Sequence, residues 1–136
     1  MNTTDKELIE LANRARKQSY CPYSGFSVGA ALLTKTGKVY TGANIENASF
    51  TPTVCAERVA LFSAIHAGER DFEAIAVVGG PAGRAPEKLF TPCGVCRQVL
   101  CEFCKTDMRV VIASESETLV STLGELMPHG FGKESM

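Results

Sequence analysis

The feature that most constrains this 136-residue chain is a pair of cysteine motifs far apart in sequence: Cys55-Ala56-Glu57, and then Pro92-Cys93-Gly94-Val95-Cys96. If the three thiolates hold one ion, the fold has to bring these two segments together. The N-terminus, MNTTDKELIE, lacks the charged start and continuous apolar stretch of a secretory signal, and no window approaches 18 apolar residues. The expected location is therefore the cytoplasm, where thiols stay reduced, and the six cysteines point to metal or catalytic thiolates before disulfides.

Three protein ligands leave the fourth tetrahedral position of a zinc ion open for water, which separates a catalytic site from a closed structural one. Three thiolates also place about −3 beside a +2 ion, which weakens its power to acidify that water. Cys55 and Cys93 fall near predicted helix starts, where the macrodipole and free amides offset negative charge. Arg58 is expected to donate hydrogen bonds to ligand sulfur, with Arg97 as a second candidate. Glu57, on the first turn of its helix, can reach the water and act as the proton shuttle.

Taken alone, Cys93-x-x-Cys96 reads equally as a redox pair or as half of a structural zinc knuckle; Pro92 and Cys55-Ala56-Glu57 favour one catalytic site. A closed four-thiolate site that adds Cys101 and Cys104 conflicts with helix geometry. Cys93 and Cys104 are eleven residues apart, about 16 Å of helix, far beyond ligands at about 2.3 Å from one metal. Cys21, Cys101 and Cys104 read as small buried hydrophobes or incidental surface thiols, and neither His66 nor His129 has a ligand-like spacing.

Thr4 and Glu7 form a capping-box pattern, and Leu8, Leu11, Ala12 and Ala15 carry a helical period, predicting a helix to about Ser19. Residues 26–34 and 38–44 predict a hairpin about Lys35-Thr36-Gly37. A helix over 54–66 stopped by Gly68, a strand over 74–78, an irregular stretch over 79–92, a helix over 93–103 and a strand over 108–113 follow. Residues 119–122 read as a short last strand and 123–127 as a final helical turn. The strand-helix-strand crossover favours parallel pairing and the hairpin is antiparallel, so the sheet is expected to be mixed, with helices on its faces.

The length fits one domain, residues 1–136. Fourteen Lys plus Arg against fifteen Asp plus Glu, with the basic residues scattered, argue against a polynucleotide partner and for a neutral small molecule.

The two cysteine motifs together also form the signature of zinc deaminases. With Pro22-Tyr23-Ser24-x-Phe26-x-Val28-Gly29-Ala30-Ala31, Asn44-Ile45-Glu46-Asn47, Cys96-Arg97-Gln98 and Glu125-Leu126-Met127-Pro128, the chain resembles the small zinc-dependent cytidine deaminases from about Pro22 to Phe131. The resemblance implies an α/β fold of three layers, α-β-α, about a mixed, mostly five-stranded sheet. It implies one Zn2+ per chain on Cys55, Cys93 and Cys96, and hydrolysis of cytidine and deoxycytidine to uridine, deoxyuridine and ammonia in pyrimidine salvage, with Glu57 carrying protons. It further implies that Asn44 and Glu46 bind ribose hydroxyls, Phe26 packs on the pyrimidine, the backbone at Ala56 reads the base, and Phe131 reaches a neighbouring site in a homotetramer.

Plainer readings stay open for these residues: Phe26 as strand core, Asn44 or Glu46 as shapers of a turn, Phe131 as an anchor for the C-terminus. Two departures stand out, Phe50 where Tyr is usual and the cysteines at 101 and 104. Rival functions are an aminonucleoside antibiotic deaminase, which Asn44-Ile45-Glu46-Asn47 disfavours, and a base-editing enzyme on RNA or DNA, which would need basic and aromatic contacts this sequence lacks. From another class, a binding module with a structural zinc would leave Glu57 without a role.

Overall fold

A computed structural model describes residues 3–136; Met1 and Asn2, which open the N-terminal stretch read above, lie outside the described residues. Thr4 caps α1 (Asp5–Ala15) in a reciprocal capping box with Glu7. The α-helix stops at Ala15, short of Ser19, and Arg16–Gln18 tighten into a 3-10 turn. There follow β1 (Phe26–Thr34), β2 (Val39–Ala43), α2 (Ala56–His66), β3 (Phe72–Pro81), α3 (Gly94–Phe103), β4 (Arg109–Ala113), β5 (Thr118–Thr122) and α4 (Leu123–Leu126).

Among the described residues the sheet has five strands in the order β2-β1-β3-β4-β5. The β3–β4 pair, joined by the crossover through α3, is parallel and the other pairs are antiparallel. β3 is longer at both ends than its predicted span of 74–78, because it pairs with β1 from Thr34↔Phe72 to Phe26↔Pro81. The irregular stretch therefore begins only after Pro81.

Side chains alternate across the pleat and build one core on each face. Val28, Ala30 and Leu32 of β1 join Ala60, Leu61, Ile75, Leu100 and Ile112 under α2 and α3. Ala31 and Leu33 point the other way and meet Leu8 and Ala12 of α1. The result is three layers, with α1 on one face and α2 and α3 on the other.

Two glycines let the helices seat this closely. A Cβ at Gly29 in β1 would lie 1.9 Å from the Ala12 carbonyl oxygen of α1, and one at Gly42 in β2 would lie 2.5 Å from the Ala56 oxygen and the Ala60 nitrogen of α2. Gly42 thereby sets the first turn of α2, which carries Glu57, directly against the sheet.

Candidate active site

Cys55 is the N-cap of α2 and Cys93 the N-cap of α3, so both sulfurs sit where unpaired amides and the helix dipole favour negative charge. Cys96, in the first turn of α3, is buried, and its amide donates to Cys93 Sγ at 3.5 Å. The Cys55 and Cys93 sulfurs are 3.8 Å apart, and all three sulfurs lie within 4.8 Å of one another. Thiolates about 2.3 Å from one tetrahedral zinc are themselves about 3.8 Å apart, so the cluster fits that ion. No other His, Cys, Asp or Glu of the described residues joins the group, which leaves one coordination position for a ligand from outside the chain.

The cluster is already electrostatically prepared. Arg58 Nη2 donates to Cys55 Sγ at 3.3 Å. A hydrogen bond from the Cys96 thiol, aided by Arg58 and opposed by burial, brings Cys55 down to about 5, while sharing with the Cys55 sulfur holds the Cys96 proton on well above the ordinary thiol range. Glu57 is 1% exposed and its Oε1 has no hydrogen-bond partner. Burial pushes its carboxyl up to about 7; its own amide opposes the shift and the Cys55 thiolate adds to it. A buried carboxylate oxygen without a partner is normally completed by water or a ligand.

Arg97 does not reach a ligand sulfur. Its Nε donates to the Pro92 carbonyl at 2.8 Å and its Nη1 to the Leu126 carbonyl at 2.7 Å. Side chains on a helix lean toward its N-terminus, and at this position that direction leads past the ligands to the chain entering Cys93. Cys101 and Cys104 pack on the core away from the cluster, and burial raises both thiols, Cys104 to about 12, which leaves them poor nucleophiles.

The segment after β2 is tied to the entrance of α2. Ile45 exchanges backbone hydrogen bonds with Val54 at 3.0 and 2.9 Å, one residue before Cys55, which runs the backbone of Asn44 to Glu46 alongside the chain entering α2. Asn44 is buried on the backbone of β1: Oδ1 accepts from the Val28 amide and Nδ2 donates to the Phe26 carbonyl, each at 2.8 Å. Glu46 accepts from the amides of Tyr23 and Ser24 and from the Ser24 hydroxyl, and that hydroxyl above all keeps it ionised below the ordinary carboxylate range. Both residues thus do shape the backbone, and each keeps unused hydrogen-bonding capacity. Phe26 is not strand core; its ring is partly exposed and packs on Phe90 at 5.5 Å between centroids.

The sequence matches the family model of the cytidine and deoxycytidylate deaminase zinc-binding region over residues 2–114. The chain belongs to this deaminase family. It is 48% identical to a cytidine deaminase of Halalkalibacterium halodurans over 130 residues, 95% of each chain. It superposes on the crystal structure of cytidine deaminase from Burkholderia pseudomallei with a TM-score of 0.87 at 48% identity, covering 95% of this chain and all of that one. A blasticidin-S deaminase of Bacillus cereus is 33% identical over 127 residues, 91% of this chain and 89% of that protein.

Within this deaminase family member, a cleft of about 540 Å³ between α1 and residues 83–86 is a poor alternative site. Its buried cation, Arg16, is already bonded to the Asn13 side chain and to the carbonyls of Ser27, Pro81 and Arg84. Three contacts made by residues expected at the site escaped the sequence reading: Ser24 on Glu46, Phe90 on Phe26, and Gln98, whose Nε2 donates to the Phe131 carbonyl at 2.8 Å. Ser24 and Gln98 stand inside recognisable motifs, whereas Phe90 lies in an irregular stretch with no period to mark it. Arg58→Ala removes the charged donor from Cys55 sulfur, and we expect it to lower zinc affinity or turnover about 10- to 100-fold, measured by competitive chelation and steady-state kinetics.

Proposed function

We propose that this chain, working as one domain over residues 1–136, catalyses the zinc-dependent hydrolytic deamination of cytidine and deoxycytidine to uridine and deoxyuridine with release of ammonia. Glu57 carries this reading: a buried carboxylate with a partnerless oxygen, in the first turn of a helix whose cap is a thiolate of the metal cluster. Cys55, Cys93 and Cys96 hold one zinc ion, which when bound supplies Lewis acidity toward water at neutral pH.

The proton movements belong to Glu57. It takes a proton from water as the oxygen bonds to C4 of the pyrimidine, and passes it to ring N3. It then takes the remaining hydroxyl proton and gives it to the exocyclic nitrogen; the C4–N bond breaks, the carbonyl forms and ammonia leaves. The carboxylate ends in the state in which it began, and one water is consumed per ammonia. Burial suits it to this cycle, because a carboxylate in water is too weak a base to take the proton, whereas one raised to about 7 can both take it and give it back near neutral pH.

Substrate placement follows the same geography. The Ala56 amide, in the first turn of α2 and ahead of the first intrahelical bond, reads the base; Phe26 packs on the pyrimidine, and Asn44 and Glu46 take the ribose hydroxyls. Phe131, 60% exposed, enters the site of a neighbouring subunit in a homotetramer. No nucleic acid or membrane partner is invoked. Cytoplasmic residence agrees with thiolate ligands that need reducing conditions. An antibiotic aminonucleoside is the competing substrate class; the acceptor that Glu46 keeps for a sugar hydroxyl favours the nucleoside.

The test is absorbance change and ammonia release with cytidine, deoxycytidine, cytosine and CMP, with zinc content measured on the same sample. Turnover of both nucleosides but of neither base nor nucleotide, at about one zinc per chain, is the expected result. Zinc without turnover of any of the four would overturn the assignment.

A further inference from the structure

Glu46 is held by a small donor array from the turn that precedes β1. Its Oε1 accepts from the Tyr23 amide at 3.0 Å and the Ser24 amide at 3.1 Å, and its Oε2 accepts from the Ser24 hydroxyl. The same hydroxyl oxygen accepts from the Phe26 amide at 3.0 Å. A hydroxyl has one proton to give, and an amide donor and an ionised carboxylate on either side fix its direction: Phe26 N–H to Ser24 Oγ, then Ser24 O–H to Glu46 Oε2. Of the roughly four acceptor positions of a carboxylate, three are filled and one on Oε2 stays open.

We propose that Ser24 is a positioning and specificity-determining residue: its hydroxyl fixes the open lone pair of Glu46 toward one sugar hydroxyl and ties that carboxylate to the backbone of Phe26, the residue that packs on the base. Sugar and base readout are thereby coupled through one oxygen. The inference rests on the sugar role of Glu46 proposed above. It goes beyond it in assigning the selectivity of that carboxylate to a residue 22 positions away that need not touch substrate.

Ser24→Ala frees Oε2 to rotate among acceptor geometries and removes the link to Phe26. We expect KM for cytidine to rise about tenfold, the loss typical of a charge-assisted hydrogen bond, with kcat within about threefold of wild type. With Glu46 on the 3′-hydroxyl, the ring hydroxyl that cytidine and deoxycytidine share, the penalty shrinks to within about twofold on 3′-deoxycytidine, which lacks it, and Ser24→Thr, which keeps the side-chain hydroxyl, restores most of the loss on cytidine. A merely structural role would raise KM equally on both substrates. Equal penalties, an unchanged KM for cytidine, a loss confined to kcat, or a Thr variant as impaired as the Ala variant would each overturn the inference. Wild-type turnover of cytidine, measured alongside, separates these failures from failure of the deaminase reading itself.

Discussion

Glu57→Gln lowers kcat on cytidine by about 10² to 10⁴, the usual contribution of a positioned proton carrier, while zinc content stays at the wild-type level. Gln matches Glu in size and leaves the three thiolates untouched, but an amide cannot take a proton from water and return it to N3. Stability moves the other way. The Glu57 carboxyl sits at about 7 in the folded chain against an ordinary 4.5, with burial the main cause. Its neutral form is the one the fold favours, so the stability tied to it is complete below pH 4.5 and is lost as pH rises toward 7. In chelator-treated protein, thermal midpoints of the wild type and the Gln variant should coincide at the acid end of that window and separate through it, with the variant the more stable. The thiols couple to this charge, since the Cys55 thiolate raises Glu57 and the Glu57 carboxylate raises Cys96, so the difference between the two proteins carries that coupling as well. Full turnover in the Glu57→Gln enzyme would refute the shuttle and return the metal to a structural role.

The thiolate cluster was legible because residue type and separation carry most of its information: three cysteines, two of them at helix starts, suit one ion once β3 and β4 run parallel through α3. What sequence could not supply were directions and non-local bonds. Arg97 lies one residue from Cys96, yet the lean of helical side chains turns it away from sulfur to the Pro92 carbonyl. Gly79-Gly80-Pro81 looks locally like a loop, and pairing with β1 overrides that signal because the neighbouring strand satisfies the backbone. The grip of Ser24 on Glu46 spans the whole β1–β2 hairpin, and no periodicity reports it. Phe90 likewise owes its place to the ring it meets on Phe26, in a segment without regular structure.

Gly29 sets how near α1 can come to the sheet, so Gly29→Ala should be among the most destabilising single-methyl additions this fold can receive. The new Cβ would stand 1.9 Å from the Ala12 carbonyl oxygen, 2.8 Å from the Arg16 nitrogen and 2.9 Å from the Ala12 carbonyl carbon. All three are backbone atoms, so no side chain can swing aside; α1 has to lift. Lifting it opens the contacts of Leu8 and Ala12, both fully buried, and pulls on the Arg16 guanidinium, which is bonded to the carbonyls of Ser27, Pro81 and Arg84. Overpacking ordinarily costs about 1–3 kcal/mol, and a clash with rigid backbone belongs at or above the top of that range. For a chain of this size that corresponds to a thermal midpoint lower by about 10 °C or more, read at fixed protein concentration and zinc occupancy. Gly94→Ala is the internal control: nothing lies within 4 Å of its Cβ, and at a helical position alanine is the better residue, so its midpoint should hold or rise. Gly42→Ala separates stability from function, because its Cβ would press at 2.5 Å on the Ala56 oxygen and the Ala60 nitrogen beside Glu57 and should reduce turnover out of proportion to its loss of midpoint. If Gly29→Ala melted within about 2 °C of wild type, α1 would have to be held less closely than its 1.9 Å approach to the Gly29 Cβ position implies, and glycine at 29 would no longer account for its depth.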